Sequence, residues 1–322
     1  MNHMIKESKK LAVIGTGVIG NGWIARFLAK GHDVVAFDPA PGAEERTREM
    51  LKKAWPSLEQ TGLADGASTE RLTFVDTLEE AVVDAYLIQE NVPERLELKQ
   101  NVLASIDQYA NPNALIGSST SGIMPTTLQE GLKHPERVFV AHPFNPVYLL
   151  PLVELVAGQA KDAKVMDEAR TFYESIEMKP LVIQKEIEGH VADRLMEALW
   201  REALHLVNDG IATTEEVDAA IIYGAGLRWA QMGPFLTFHL AGGDQGMRHM
   251  LEQFGPALKL PWTKLVAPEL TDDLKEKVIS GCETHAGETT ISELEQKRNE
   301  FLVKLLDLVE DYWPESKSLI KN

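Results

Sequence analysis

A histidine and a glutamate carry the clearest catalytic pattern in this sequence. His142 follows the apolar run VFVA, and Glu154 lies inside a second apolar run, LPLVELV. An imidazole titrates near neutral pH, so it can accept the proton of a secondary alcohol while a hydride leaves the same carbon. A carboxylate on the other ring nitrogen fixes the tautomer and favours the imidazolium. The pair therefore predicts an acid–base site for alcohol oxidation.

A hydroxyl-rich turn precedes the histidine. The run Ser118 to Ser121 follows the predicted strand at residues 114–116 and ends at Gly122. The hydroxyl of Ser121 is the candidate contact for a substrate oxygen. Each of these side chains also has a simpler explanation: turn serines bond their own backbone, buried histidines are often core residues, and a glutamate can accept a backbone amide. The combination of the serine turn, His142 and Glu154 favours catalysis, because a dinucleotide-binding sheet is predicted from the segment that precedes them.

A strand, a glycine turn and a helix at the start of the chain predict where a cofactor binds. The apolar run from Lys10 to Ile14 leads into GTGVIG, which has the GxGxxG spacing, and apolar residues then recur at helical intervals. The first glycine permits a tight turn, the second lets a pyrophosphate approach the backbone, and the third packs helix on strand. The candidate cofactor-binding residues are Gly15, Thr16, Gly17, Val18, Ile19 and Gly20.

An acidic residue predicts which dinucleotide is bound. Asp38 follows the predicted second strand, Asp33 to Phe37, and no arginine is adjacent. A carboxylate at this position accepts hydrogen bonds from a ribose 2′-hydroxyl and repels a 2′-phosphate. The sequence therefore predicts NAD rather than NADP. The alternative is an ordinary turn in which Asp38 caps the end of the strand.

The order of elements predicts the fold class. Strands and helices alternate up to about residue 187, which predicts an α/β fold with a doubly wound, mostly parallel sheet of the Rossmann type. We therefore expect an NAD-binding domain at residues 1–187 and an all-helical domain at 188–322 for substrate binding and dimerisation. The run Val191 to Val207 is expected to be a helix buried on all sides, and surplus apolar surface in this domain predicts a homodimer.

Composition and charge exclude several classes of protein. The net charge of −17 is against nucleic-acid binding, which requires clustered Lys and Arg. No apolar run reaches the roughly 18 to 20 residues of a membrane span, and the N-terminus lacks a signal-peptide core. The single cysteine, Cys282, excludes an internal disulfide. The histidines between His239 and His249 lack metal-ligand spacing. We expect a cytoplasmic protein with no metal, membrane or nucleic-acid partner.

The motifs around the histidine resemble those of the L-3-hydroxyacyl-CoA dehydrogenase superfamily. The matching segments are GSSTSG, AHPFNP and LPLVELV, and the resemblance extends over nearly the whole chain. It implies that His142 is the catalytic base, Glu154 its partner and Ser121 the contact to the substrate oxygen. The contacts with NAD that it implies are Glu90, Lys99, Ser119 and Asn145.

One motif departs from the superfamily. The pattern G-F-x-x-N-R-L is GHVADRL here, so Asp193 replaces an asparagine, which is against an acyl-CoA substrate. The segments HPFNPVYLLPLVE and ADRLMEALWREALHLVNDG resemble the branch of the superfamily that oxidises the 3-hydroxyl of L-carnitine with NAD. The alternatives are L-gulonate or another small 3-hydroxy acid, and a non-catalytic NAD-binding structural protein.

A carnitine substrate would require a cation-binding pocket. A trimethylammonium group has no hydrogen to donate, so aromatic faces and carboxylates must hold it. Asp193 is the charged candidate, and the aromatic candidates are Trp229, Phe235 and Phe238. The spacing of the two phenylalanines also fits a helix core, and Asp193 also fits an ion pair with a neighbouring arginine.

Overall fold

The computed structural model describes residues 8–230, 233–242, 244, 246–264, 266, 269, 271–276, 279, 288 and 290–312. The chain divides into two compact units. Residues 1–193 form the first, which we call the sheet unit, and residues 194–322 form the second, which we call the helical unit. Cys282 and the first seven residues lie outside the described ranges.

One eight-stranded sheet organises the sheet unit, with the strand order β3-β2-β1-β4-β5-β6-β7-β8. The strands are β1 Lys10–Ile14, β2 Asp33–Phe37, β3 Leu72–Phe74, β4 Leu87–Glu90, β5 Leu115–Ser118, β6 Val138–Pro143, β7 Leu152–Ala157 and β8 Lys179–Ile183. Neighbouring strands are parallel except β6 and β7, which are antiparallel. The predicted α/β class with a mostly parallel sheet is confirmed.

Helices cover both faces of this sheet. They are α1 Val18–Ala29, α2 Ala43–Thr61, α3 Leu78–Val82, α4 Leu96–Tyr109, α5 Pro125–Leu128 and α6 Ala163–Ser175. Successive side chains of a strand point to opposite faces, so Leu11 of β1 packs in the core that contains Trp23 of α1, whereas Ala12 packs with Leu103 of α4. Burial on both faces explains why the central strands are continuous apolar runs.

The strand order determines where a ligand can bind. β1 lies between β2 and β4, so the chain leaves β1 in one direction across the sheet and later continues in the other. At such a switch point the loops after adjacent strands separate and leave a crevice at the carboxyl ends. The ends of β1, β2, β4, β5 and β6 share that edge, because these strands are parallel. The crevice therefore lies beside Gly15, Asp38, Glu90, Ser118 and His142.

After β8, the described parts of the chain contain helices and no strand. The helices are α7 Ala192–Asn208, α8 Thr214–Ala220, a π-helical segment Ile221–Ala225, α9 Gly226–Trp229, α10 Pro234–Ala241, α11 Gly246–Phe254 and α12 Ile291–Tyr312. Among the described residues, none of the helices combines the length and apolar character that crossing a membrane would require.

The expectation that the first of these helices is buried on all sides is wrong. Only Leu204 of α7 is buried, and apolar side chains such as Leu195 and Trp200 are exposed. Charged residues, including Glu197 and Arg201, alternate with the apolar ones. Helix α7 is therefore amphipathic, and its apolar side chains are not all directed into one core.

Candidate active site

The glycine turn after β1 fits the pyrophosphate of a dinucleotide. Gly15 has φ +86°, and a Cβ atom there would lie 2.9 Å from the carbonyl oxygen of Asn91; a Cβ on Gly20 would lie 1.9 Å from the oxygen of Gly15. Gly17 instead faces open space. No side chain caps the following helix and its first turn has no acidic residue, so the N-terminus of α1 offers amide donors and a partial positive charge to phosphate.

The carboxylate of Asp38 is fixed at the end of β2. Its Oδ2 accepts hydrogen bonds from the Thr16 amide at 2.7 Å and the Thr16 hydroxyl at 3.1 Å, while Oδ1 accepts one from the Ala40 amide at 2.9 Å. A cavity of about 680 Å³ lies beside it, lined by the ends of β2 and β3 and by α2. The cavity thus adjoins a carboxylate of the kind that can accept hydrogen bonds from a ribose, which agrees with NAD.

His142 and Glu154 form a hydrogen-bonded pair. They lie directly opposite each other in the antiparallel ladder of β6 and β7, and the His142 Nδ1 is 2.9 Å from the Glu154 Oε2. His142 is buried, and Glu154 is fully buried. The second carboxylate oxygen, Oε1, accepts the amides of Val191 and Ala192, each at 2.9 Å. Both oxygens of Glu154 are therefore engaged.

These contacts decide the charge of Glu154. Burial by itself raises the pKa of this carboxyl group, but the hydrogen bonds from His142, Ala192 and Val191 outweigh burial and lower the pKa below its ordinary value. Glu154 is accordingly ionised at neutral pH. An ionised carboxylate on Nδ1 requires the proton of that nitrogen, so Nε2 of His142 is the nitrogen that can accept a proton.

A second carboxylate approaches the free side of the histidine. Oδ2 of Asp193 lies 3.7 Å from Nε2 of His142, and the Asp193 side chain is 19% exposed. His142 therefore lies between two acids, one tightly bound to Nδ1 and one looser near Nε2. A site of this kind has excess negative charge close to the nitrogen that would face a substrate hydroxyl.

The serine turn is held by Glu94. Its Oε1 accepts the amides of Ser121 at 3.1 Å and Gly122 at 3.3 Å, and also the hydroxyl of Thr120. The side chain of Ser121 is exposed. The backbone of the turn is thus fixed while the Ser121 hydroxyl remains at the surface.

Two predicted cofactor contacts, Glu90 and Lys99, form a buried ion pair. The Lys99 Nζ lies 2.9 Å from the Glu90 Oε1, and both side chains are almost fully buried. Glu90 also accepts the Ser118 hydroxyl at 2.5 Å, and Lys99 lies 3.4 Å from Glu94. Glu90 thus bonds to the start of the serine turn, and Lys99 approaches the glutamate that binds the amides in the middle of the turn. Both contacts support the conformation of that turn.

Ser119 and Asn145 differ in their surroundings. The Ser119 hydroxyl accepts from Trp23 Nε1 at 3.0 Å and Gln89 Nε2 at 2.8 Å, and donates to Asn91 Oδ1 at 2.7 Å. One hydroxyl has one proton and two lone pairs, so these contacts use its full capacity. Asn145 is exposed in the segment after β6.

Sequence reasoning missed two buried polar residues. His190 is fully buried, and its ring centre lies 5.6 Å from that of His142. Arg26 of α1 donates to the carbonyl of Val147 at 2.8 Å and is buried, which lowers its pKa to about 10. The signal for His190 was present in the motif GHVADRL, where a histidine stands in place of the phenylalanine of the superfamily pattern. The signal for Arg26 was a single charged residue in an otherwise uncharged helix.

The aromatic candidates for cation binding lie in the helical unit. Trp229 is 44% exposed, Phe235 83% and Phe238 49%. These exposures do not fit the alternative that the two phenylalanines are core residues. Contact of these rings with a cationic group stays a prediction.

Comparisons with known proteins agree with this geometry. Residues 10–187 match the family model described as 3-hydroxyacyl-CoA dehydrogenase, NAD binding domain, and residues 189–279 match 3-hydroxyacyl-CoA dehydrogenase, C-terminal domain. The chain is 74% identical to an L-carnitine dehydrogenase of Oceanobacillus iheyensis, over 95% of this chain and 100% of that protein. It is 64% identical to an L-carnitine dehydrogenase of Bacillus cereus, over 98% and 97%.

A solved structure extends the comparison to the fold. The NAD+-dependent dismutase 5-formyl-3-hydroxy-2-methylpyridine 4-carboxylic acid 5-dehydrogenase is 29% identical, with a TM-score of 0.79 over 94% of this chain and 99% of that one. The glycine cradle, the Asp38 carboxylate and these matches together identify the cofactor as NAD. The chain therefore belongs to the 3-hydroxyacyl-CoA dehydrogenase family and is an NAD-dependent oxidoreductase.

Proposed function

We propose that this protein oxidises the 3-hydroxyl of L-carnitine to 3-dehydrocarnitine. The relatives named L-carnitine dehydrogenase, at 74% and 64% identity over nearly the full length, support this substrate. The observation that carries the mechanism is the position of His142, with Glu154 bonded to Nδ1 at 2.9 Å and Asp193 at 3.7 Å from Nε2.

The proposed base is His142. Its Nε2 accepts the proton of the substrate hydroxyl as the carbon–oxygen double bond forms, and the hydrogen on the same carbon departs as hydride. NAD, when bound, supplies the hydride acceptor. The ionised Glu154 keeps a proton on Nδ1 before the reaction and stabilises the imidazolium that the reaction produces. The exposed hydroxyl of Ser121 is proposed to hold the substrate oxygen.

Asp193 is proposed to recognise the trimethylammonium group. A carboxylate attracts a cation that lacks hydrogen-bond donors, whereas the asparagine of the superfamily pattern is neutral. We also keep Trp229, Phe235 and Phe238 as candidates for ring contacts with the same group, because their rings are exposed. Asn145 is exposed and is proposed to contact the nicotinamide end of NAD. Glu90, Lys99 and Ser119 are bonded to neighbouring residues and are proposed to position the segments that contact it.

The experiment that tests this proposal is the initial rate of NADH formation with L-carnitine, with D-carnitine and L-gulonate as parallel substrates. We expect turnover of the L-isomer alone. His142→Ala should lower kcat by roughly 10²- to 10⁴-fold while NAD still binds, because only the proton transfer is lost. Unchanged turnover would exclude His142 as the base, and activity with L-gulonate but not L-carnitine would assign a different 3-hydroxy acid. Absence of NADH formation with every substrate would favour a non-catalytic NAD-binding protein.

We propose residues 1–187 as the cofactor domain and residues 188–322 as the domain for substrate binding and dimerisation of a cytoplasmic protein. Exposed apolar side chains along α7, among them Met196 and Trp200, support a homodimer. A single cysteine is compatible with the reducing cytoplasm.

A further inference from the structure

His190 connects three parts of the candidate site. Its Nε2 lies 3.3 Å from the carbonyl oxygen of Thr120, the residue before Ser121. Its ring packs on that of His142, with centroids 5.6 Å apart and an angle of 52° between the planes. The two residues that follow it, Val191 and Ala192, donate their amides to Glu154.

The backbone at His190 is unusual and explains the last of these contacts. Gly189 has φ +70° and His190 has φ +48°, so two consecutive residues are left-handed. Histidine is among the few side chains enriched in this region. The chain passes directly from these two residues into helix α7, and amides at the start of a helix have no acceptor within the helix. Two of these amides, those of Val191 and Ala192, bind Oε1 of Glu154.

The hydrogen bond to Thr120 determines the tautomer of His190. A carbonyl oxygen can only accept, so Nε2 carries the proton and Nδ1 does not. Nδ1 is buried and has no hydrogen-bond partner within the part of the chain that the structure describes. A buried imidazole with one donor committed to the backbone and one free lone pair does not fit a purely apolar packing role, for which phenylalanine would suffice.

We propose that His190 is a positioning residue of the reaction. Its bond to the Thr120 carbonyl fixes the serine turn relative to His142. Its left-handed backbone presents the amides that orient Glu154. This inference rests on the proposed function, because it takes His142 as the base and Ser121 as the contact to the substrate oxygen. His190 itself touches no reacting atom.

The surroundings of His190 keep it neutral. Burial lowers its pKa below the ordinary value; the bond to the Thr120 carbonyl opposes this shift, while the neighbouring His142 lowers the pKa further. The carboxylates of Glu154 and Asp193 act in the opposite direction. The net lowering of the pKa keeps His190 neutral near pH 7, with its one ring proton on the nitrogen that faces the Thr120 carbonyl.

The test compares two substitutions in the full-length enzyme with L-carnitine and NAD. His190→Phe keeps a ring of similar size but removes the donor, and it should lower kcat by about three- to tenfold, the effect of one lost hydrogen bond. The KM for NAD should stay the same. His190→Gln, whose amide can donate near the position of Nε2, should recover part of the loss. Wild-type kcat in His190→Phe would overturn the proposal, as would a loss that His190→Gln does not reduce at all.

A measurement on the unaltered protein covers the case in which the variants do not fold. Nitrogen-15 spectra of the histidine rings near neutral pH should show one buried ring protonated at Nε2 only. A proton on Nδ1 of His190, or a doubly protonated ring, would overturn the proposal. This readout needs no turnover. If L-carnitine is not oxidised, the proposed function fails while the state of His190 is still decided.

Discussion

The central residue of the site is a histidine whose two ring nitrogens face different carboxylates. Glu154 is buried and its pKa is lowered, so it serves as a fixed negative charge on Nδ1. Asp193 is partly exposed and lies farther from Nε2. The two acids differ in burial and in distance from the ring. This difference supports the proposal that Glu154 orients the histidine and that Asp193 attracts the cationic group of the substrate.

The role of Asp193 can be tested by restoring the asparagine of the superfamily pattern. Asp193→Asn should raise KM for L-carnitine about tenfold or more, equivalent to about 1.4 kcal/mol, because the carboxylate that attracts the ammonium is lost. Steady-state kinetics with 3-hydroxybutyrate, which lacks the ammonium group, provide the control, and its KM should not rise. An equal increase for both substrates would show that Asp193 does not recognise the cation.

At the scale of the elements, the ends of β4 and β5 are held together by the buried ion pair of Lys99 and Glu90. Lys99 of α4 pairs with Glu90 at the end of β4 and lies 3.4 Å from Glu94, which binds the amides of the serine turn.

A second buried cation, Arg26 of α1, donates a hydrogen bond to the Val147 carbonyl. The helix that follows the glycine turn and the segment that follows His142 are therefore joined directly.

The Lys99–Glu90 pair should stabilise the fold as well as the site. Lys99→Met should lower the free energy of unfolding by about 3 to 5 kcal/mol, because it leaves the Glu90 carboxylate buried without its cation. Urea unfolding followed by circular dichroism measures this change. The matched control is Lys10→Met, which removes an exposed pair with Asp84 and should cost only about 0 to 1 kcal/mol. Similar losses in the two variants would contradict the assignment.

At the level of the whole molecule, the exposed apolar side chains of α7 support the proposal of a homodimer. Leu195, Met196, Leu199 and Trp200 are all exposed, and Met196 and Trp200 are one helical turn apart. Glu197 and Arg201 form an ion pair along another row of the same helix. The helix thus has one apolar and one charged surface.

Light scattering after gel filtration should give a mass twice the chain mass of 35.8 kDa. The double substitution Met196→Glu with Trp200→Glu should shift the protein towards the monomer, because it places charges on the apolar surface. Glu197→Lys, a substitution in the charged row, should leave the dimer intact. A monomeric wild-type protein would exclude the proposed assembly, and a dimer that survives the double substitution would place the interface elsewhere.

Local sequence patterns were sufficient to predict the glycine turn after β1 and the order of strands and helices in the sheet unit. The glycine spacing, Asp38 and the alternation of apolar runs each depend on residues close together in the chain, and the strands β1 and β2 have the predicted bounds. The predicted helix at Val191 to Val207 exists, but its burial was wrong. Burial of an amphipathic helix depends on what packs against it, which its own residues do not encode.

His142 and Glu154 show the limit of sequence reasoning. Their residue types predicted a pair, but only the antiparallel register of β6 and β7 places them opposite each other. The buried positions of His190 and Arg26, and the pairing of Glu90 with Lys99, likewise required the tertiary structure. Local conformation and cofactor type follow from near neighbours in the chain, whereas the partners of buried polar groups depend on strand register and packing between distant segments.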